Sequence, residues 1–484
     1  MRQKLIWPLD INFKMDTVRR ITRNTAYVLG GNMLAALMTF LINAYIARYL
    51  GSEVFGRYSF VFAYLAFFMV ISVFGIDAIL VREFSRSEGR SNRLLSAGII
   101  IKLATSFLAS LISAVLIMFL PYSSSIRLAV ILASIGLVFY SVAQTLSALF
   151  QARLEMIYSS IATILSRLVF LGLTAYVVLT NGGFVKMVVA SSAAFMAQLA
   201  LMYVFSRKKF TFIKPDMGIT RAILVESWPL ALMNLFITAY FRIGVVILSL
   251  VKGTEQVGFY SAAYMITEAP AMISVAFMTS MFPLMSLYFK SSNAQFKEIY
   301  VKSFKYMAIL GMPIVVGGFL LRKEIISLVY GASYSVSASA FGILIFGCVL
   351  MILNVVLAST ITAIDRQKLN MFVVGLATAL NLVLNLAMIP KLGFIGTAIA
   401  AVATELLIFL GFGYFVYKET KIIPTEGLLN VLGASLVMGL FIVFTNLQLI
   451  LTFLIAIPVY GIALLLLRTF DSRDREFIAR IIRK

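Results

Sequence analysis

Gly51-Ser52-Glu53-Val54-Phe55-Gly56-Arg57-Tyr58-Ser59 returns in register as Gly253-Thr254-Glu255-Gln256-Val257-Gly258-Phe259-Tyr260-Ser261. Each copy lies in a short polar break between two long apolar segments, and the same spacing sets Asn32 opposite Asn234. A second, looser echo pairs Gly183-Phe184-Val185 with Gly393-Phe394-Ile395, again where an apolar segment begins. An apolar composition generates chance matches of Leu and Val, not of Gly, Glu, Tyr and Ser at fixed intervals. The chain therefore reads as two halves of similar plan joined end to end, an arrangement common among membrane proteins that work around a central site.

Of the 484 residues, 61% are hydrophobic, and the mean hydropathy is +1.00. One soluble core cannot hide so much apolar surface, so the chain belongs in a bilayer. A hydrocarbon layer takes roughly 20 apolar residues per helix, and about fourteen such stretches can be traced. They run over 25–50, 58–80, 94–120, 127–150, 157–179, 183–205, 222–251, 258–288, 300–321, 337–364, 369–388, 393–417, 428–444 and 449–467. Their continuity excludes a β-barrel, whose strands alternate in polarity. The expected class is an all-α polytopic membrane protein. Its expected divisions are an N-terminal segment 1–24, a six-helix bundle 25–206, a basic linker 207–221, a second bundle 222–418, two added helices 419–467 and a basic tail 468–484.

Alternate connections differ sharply in charge. One side carries Arg19, Arg20, Arg23, Arg82, Arg86, Arg90, Arg93, Arg207, Lys208 and Lys209. The same side carries Lys290, Lys297, Lys302, Lys305, Arg366, Lys368, Lys418, Lys421, Arg473, Arg475, Arg480, Arg483 and Lys484. The other side has chiefly Arg48, Arg57, Arg127, Lys252, Arg322 and Lys391. The positive-inside rule then places both termini in the cytoplasm of a multi-pass plasma-membrane protein. It also accounts for the net charge of +21 without nucleic acid, because the cations are spread along loops beside anionic headgroups.

Several chemistries lack their residues. The run after Arg23 is too long for a cleaved leader, so it reads as the first helix. Cys348 is the only cysteine and histidine is absent, which removes disulfides, thiolate sites and the usual metal ligand. No glycine-rich phosphate loop ending in Lys-Ser or Lys-Thr occurs. Neither a metal nor a cofactor is expected; Na⁺, H⁺ and membrane potential all stay open as a coupling source.

Charged and amide groups within the apolar segments are the candidate site, since each is costly against lipid. Arg242 and Glu268 lie on either side of the same loop, each about ten residues and hence about 15 Å into its helix. They are read either as a cation for an anionic headgroup with a carboxylate that releases it, or as a buried pair that sets helix register. Lys102 enters its segment about two turns from the cytoplasm and either snorkels to the headgroups or lines the site. Arg167 lies deeper, for cavity lining or interhelix pairing. Asp77, followed by Arg82 and Glu83, suits a local ion pair, and Glu405 calls for a basic partner on another helix. Asn43, Gln144, Gln198, Asn381 and Asn385 suit interhelix hydrogen bonds, whereas the repeat-related Asn32 and Asn234 are carried as site candidates. Pro229 and Pro270 are candidate kinks, and the stretch from Glu324 to Tyr334 is expected to lie on the outer face.

Several stretches resemble the polysaccharide-biosynthesis flippases. These are Ala47-Arg48-Tyr49-Leu50-Gly51 with Phe55-Gly56-Arg57-Tyr58, Gly75-Ile76-Asp77 running into Val81-Arg82-Glu83, Leu328-Val329-Tyr330-Gly331-Ala332-Ser333-Tyr334, and Asn381 through Gly393 to Ala400. The similarity spans about Thr17 to Tyr417. That family belongs to the multidrug/oligosaccharidyl-lipid/polysaccharide exporter superfamily. The resemblance implies two pseudo-symmetric six-helix bundles around a central cavity, here with two C-terminal helices added.

It further implies a non-enzymatic, monomeric flippase that carries a lipid-linked oligosaccharide, on a polyprenyl phosphate or pyrophosphate, to the outer leaflet by alternating access. Its partners would be membrane lipids and the glycosyltransferases or polymerase of surface glycan synthesis. Arg242, and after it Arg48, Arg167 and Lys102, would meet the phosphate, for which a guanidinium fork is suited. The alternatives are a lipid II flippase and a cation-coupled multidrug exporter, the latter kept open by Glu268 and Glu405.

Overall fold

The computed structural model describes residues 11–86, 90–208, 210–445, 447–470 and 474. Lys209, Arg473, Arg475, Arg480, Arg483 and Lys484, counted above for orientation, lie outside the described residues, as do the first ten. Sixteen α-helices follow in order among the described residues: α1 Ile11–Val73, α2 Ile76–Arg86, α3 Ser91–Phe119, α4 Ser124–Ala152, α5 Ile157–Leu179, α6 Phe184–Ser206, α7 Met217–Lys252 and α8 Thr254–Glu268. They continue with α9 Ala271–Ser291, α10 Asn293–Leu320, α11 Arg322–Tyr330, α12 Ser337–Ala363, α13 Gln367–Leu392, α14 Phe394–Thr420, α15 Leu428–Phe444 and α16 Leu449–Leu466. Among the described residues, twelve helical stretches are long and apolar enough to cross a membrane. The first, Tyr27–Arg86, has the length of two crossings, and the 17-residue α15 is a shorter apolar helix, which accounts for the fourteen expected segments.

Local chemistry explains where the helices differ from the simple segment reading. The first two segments are one helix, α1, interrupted only at Gly51, with φ 73° and ψ 170°. Gly253, its counterpart, takes φ 85° and ψ 176° immediately before α8. Both values lie where a side chain is strained, so glycine makes the elbow in each copy. The second segment stops early, because Phe74 (φ 50°) and Gly75 (φ 70°) turn the chain and Ile76 then begins the amphipathic α2, with Asp77 in its first turn. The eighth segment is two helices divided at Pro270, which caps α9, whereas Pro229 sits inside an unbroken α7. The looser echo also has a structural meaning: Gly183 and Gly393 precede Phe184 and Phe394, the first residues of α6 and α14.

The described residues pack as two compact units, those within 1–42 and 65–235 in one and those within 43–64 and 236–484 in the other. In the first, α4 lies between α3 and α6, and Leu80, Leu95, Ala97, Phe150 and Met202 are in its core. Gly98 admits the Leu80 side chain, since a Cβ there would fall 2.6 Å from a Leu80 methyl. In the second, α12 is the hub, packed by α8, α9, α10, α13 and α14. α15 and α16 pair through Val431, Ala434, Met438, Ala456 and Leu464, and the Tyr460 hydroxyl donates to the Ile309 carbonyl of α10 at 2.8 Å.

Candidate functional site

The second unit holds a polar cleft lined by α7, α8, α12, α13 and α14. Its floor is Glu405, on α14 and only 6% exposed. The Tyr240 hydroxyl donates to one carboxylate oxygen, and Asn354 Nδ2 donates to the other at 2.8 Å and to the Glu405 carbonyl at 3.2 Å. The expected basic partner is therefore not what Glu405 finds: a phenol and an amide hold it instead. Beside it, Asn385 Nδ2 donates to the Asn381 carbonyl at 2.8 Å and to Asn381 Oδ1 at 2.9 Å, while Asn381 Nδ2 donates to Thr404 at 3.1 Å. Asn354 Oδ1, Asn385 Oδ1 and Thr397 Oγ1 are buried with no hydrogen-bond partner among the described residues. Gly244 makes the enclosure possible, because a Cβ there would come 2.9 Å from Thr397 Cγ2 and 3.0 Å from Asn385 Oδ1. A carboxylate among neutral oxygens suits a proton or a hard monovalent cation, and no group of three or more acidic or sulfur ligands occurs among the described residues.

Arg242 and Glu268 come together on α7 and at the end of α8, with Nη2 to Oε1 at 4.0 Å. That separation is an ion pair without a hydrogen bond. Their side chains are 38% and 40% exposed, so each charge retains an open side. Aromatic rings flank them: Tyr260 and Tyr264 stack on α8 at 5.6 Å between centroids, and Tyr240 meets Phe241 edge-on at 4.6 Å.

The first unit uses its charges differently. Lys102 does not snorkel; it is wholly buried, 2.9 Å from each Asp77 carboxylate oxygen, and Asp77 is 27% exposed. Arg82 forks onto Glu226, at 2.5 and 2.6 Å, and also onto Glu83. Arg167 lies 6.0 Å from the centre of the Phe195 ring, near Tyr140, whose hydroxyl accepts from Gln144 at 2.8 Å. Asn32 and Asn234 are both exposed. In the second unit, Arg48 donates to the Val329 carbonyl at 2.8 Å and to that of Leu328, so its guanidinium caps the last turn of α11.

Sequence reasoning missed Tyr240, Asn354, Tyr264 and Glu226. A tyrosine or asparagine in an apolar run is a faint signal, and only the fold shows which face it takes.

The sequence pattern of the family described as polysaccharide biosynthesis protein matches residues 21–289, more than half of the 484-residue chain. The chain belongs to that family. A second pattern, MatE, matches residues 229–387. Among curated relatives, the "Probable low-salt glycan biosynthesis flippase" of Haloferax volcanii is 22% identical over 388 residues, spanning 78% of this chain and 80% of the relative. The capsular polysaccharide biosynthesis protein CapF of Staphylococcus aureus is 22% identical over 409 residues, 82% of this chain and all of the relative. Among solved structures, the lipid II flippase MurJ in an inward closed conformation superposes with a TM-score of 0.76 at 16% identity, covering 94% of this chain and 100% of that one. The chain is thus a multi-pass membrane protein with the fold of that flippase structure.

Proposed function

We propose that this protein is a flippase that carries a lipid-linked oligosaccharide from the cytoplasmic to the outer leaflet by alternating access, for surface glycan synthesis. The observation that carries the reading is Arg242, charged, 38% exposed and held only loosely, at 4.0 Å, by Glu268. A register-setting pair would close to hydrogen-bond distance and bury both groups. A pair left open is free to exchange its carboxylate for a phosphate, which a guanidinium fork receives with two parallel bonds. The adjoining tyrosine faces and amides are suited to a sugar chain, and stripping such hydroxyls for passage through lipid would cost several kcal/mol each.

Family membership and the glycan names of the relatives support this substrate class. We place the protein in the plasma membrane as a monomer with both termini cytoplasmic, working without catalysis of its own, beside the glycosyltransferases or polymerase that make and use its substrate.

The test is flipping of a fluorescent polyprenyl-pyrophosphate oligosaccharide in proteoliposomes. Arg242→Ala should reduce the rate to that of empty vesicles, and Arg242→Lys should keep part of it, because charge survives while the fork is lost. An Ala variant that flips at the wild-type rate would refute the assignment.

A further inference from the structure

Two basic stretches far apart in the chain are laid side by side in the first unit. Where the linker after α6 passes the start of α3, the Thr211 N–H donates to Asn92 Oδ1 at 3.5 Å and the Ile213 N–H donates to Ser96 Oγ at 3.1 Å. Asn92 and Ser96 are one turn apart on α3, so the linker is stitched along one face of that helix. Phe210 fastens it further by packing against the core that holds Leu94 and Leu95. Lys208 and Lys214, at either end of the stitched segment, are thereby brought to the same edge of the unit as Arg90 and Arg93, which flank the first turn of α3.

This edge carries charge that the protein leaves uncompensated. Arg90, Arg93, Lys208 and Lys214 are all exposed, and none of them is in an ion pair among the described residues. The carboxylates of the neighbouring segments are committed elsewhere. Asp216 accepts from the Gly218 and Ile219 N–H groups at the start of α7, at 2.8 and 3.3 Å, while Glu83 and Glu226 are taken by Arg82. Between the two lysines, the Phe212 ring is 56% exposed.

Depth decides what covers such a surface. Asn92 lies just before the apolar span that begins at Leu94, and Ser96 lies just inside it, so the linker crosses α3 where the helix enters hydrocarbon. An aromatic ring at that level is stable with its face below the headgroups. Cations at that level meet lipid phosphates, and each adds to the attraction of an anionic leaflet. An acidic protein would match the charges but would leave the ring without an apolar partner.

We propose that the edge formed by the linker and the start of α3 is a binding surface for anionic phospholipid headgroups, with Phe212 as its apolar keel and Lys208, Lys214, Arg90 and Arg93 as its phosphate contacts. The leaflet concerned follows from the orientation given under the proposed function. The surface itself depends neither on that orientation nor on what the protein transports.

The test uses Phe212→Trp as the sole tryptophan, with Trp7→Phe and Trp228→Phe, reconstituted into phosphatidylcholine vesicles. These contain an equal mole fraction of either phosphatidylglycerol or phosphatidylcholine brominated near the headgroup end of its chains. Brominated phosphatidylglycerol should quench the reporter several-fold more strongly, and the preference should shrink as salt is raised. Lys208→Gln with Lys214→Gln should bring the two quenching curves together, whereas Lys208→Arg with Lys214→Arg should keep them apart. Phe119→Trp, at the other end of α3 and 81% exposed in the native residue, should be quenched equally by both lipids. Equal quenching at position 212 would overturn the proposal, and so would no quenching by either lipid, which would place the ring outside the bilayer. A preference for polyprenyl phosphate with none for phosphatidylglycerol would also overturn it, and would make the edge part of the substrate's route instead.

Discussion

Replacing Asp77 by Asn should unfold the first unit far more readily than replacing Glu268 by Gln disturbs the second, although each change removes one carboxylate from one ion pair. Asp77→Asn leaves Lys102, with 0% of its side chain exposed, without its counter-charge. Breaking a buried pair from one side costs about 3–5 kcal/mol, because the surviving charge cannot regain its hydration. Glu268→Gln leaves Arg242 38% exposed and removes a contact that was already 4.0 Å long. Partly exposed pairs of that kind contribute about 0–1 kcal/mol. The difference should therefore be about 2–5 kcal/mol.

Denaturant unfolding of purified protein in one detergent, followed by tryptophan fluorescence and by exclusion chromatography, measures both variants on the same scale. Asp77→Asn combined with Lys102→Met should recover most of the loss, since a buried ion pair can be replaced by apolar side chains at little cost. Glu268→Gln should instead slow flipping while stability holds. Equal destabilisation by Asp77→Asn and Glu268→Gln would refute the division into a sealed pair and an open one, and the reading of Arg242 as a binding group would lose its basis.

Three further outcomes are expected. Glu405→Gln should fold, because Asn354 can turn its unpartnered Oδ1 toward the new amide, whereas Glu405→Ala strands the Tyr240 hydroxyl and the Asn354 amide at about 1–3 kcal/mol each; if this carboxylate carries the coupling ion, the Gln variant's flipping rate will no longer respond to pH or Na⁺, and an unchanged response excludes it. Asp474, buried and accepting from Lys305 at 2.8 Å and Tyr306 at 2.9 Å, with Lys302 at 3.7 Å, ties its own position to α10; Asp474→Asn should make the chain cleavable by added protease at that residue while α10 remains protected, and unaltered cleavage would show the contact to be incidental. A cysteine at Ser333 should react with impermeant reagent on intact cells and one at Asn293 should not, both being exposed positions in a background whose native Cys348 is buried; the inverse pattern would reverse the membrane orientation.

The backbone plan was legible in the sequence because its signals are local. An apolar run of the right length announces a span, and a glycine at φ 73° or 85° announces an elbow that few other residues can make. The Arg242–Glu268 contact was legible for the same reason, since two helices joined by one short turn must be neighbours. The partners of Glu405, Lys102 and Arg48 were not. Glu405 meets Tyr240 and Asn354 across long stretches of chain, and hydroxyls and amides leave no charge pattern to search for. Lys102 looked near enough to a helix end to snorkel, but α2 turns back at Gly75 and brings Asp77 over it.

The duplication makes this contrast informative. Both copies keep glycine at the elbow, where φ is positive, and at Gly56 and Gly258, where a Cβ would overlap a backbone carbonyl. The charges deep in the spans do not repeat: the first unit seals Lys102 against Asp77, while the second leaves Arg242 and Glu268 open beside a polar cleft. On the proposed function, chemistry confined to one half would serve the cargo, because a headgroup with one phosphate end needs only one cation to receive it. If that division of labour holds, an arginine introduced at Thr267, buried but lining the cleft beside the open pair, should alter flipping, while one at Ser106, buried in the first unit and not lining the cleft, should only destabilise the fold. A Ser106→Arg chain that remains folded and flips a different headgroup would show that both halves read the cargo.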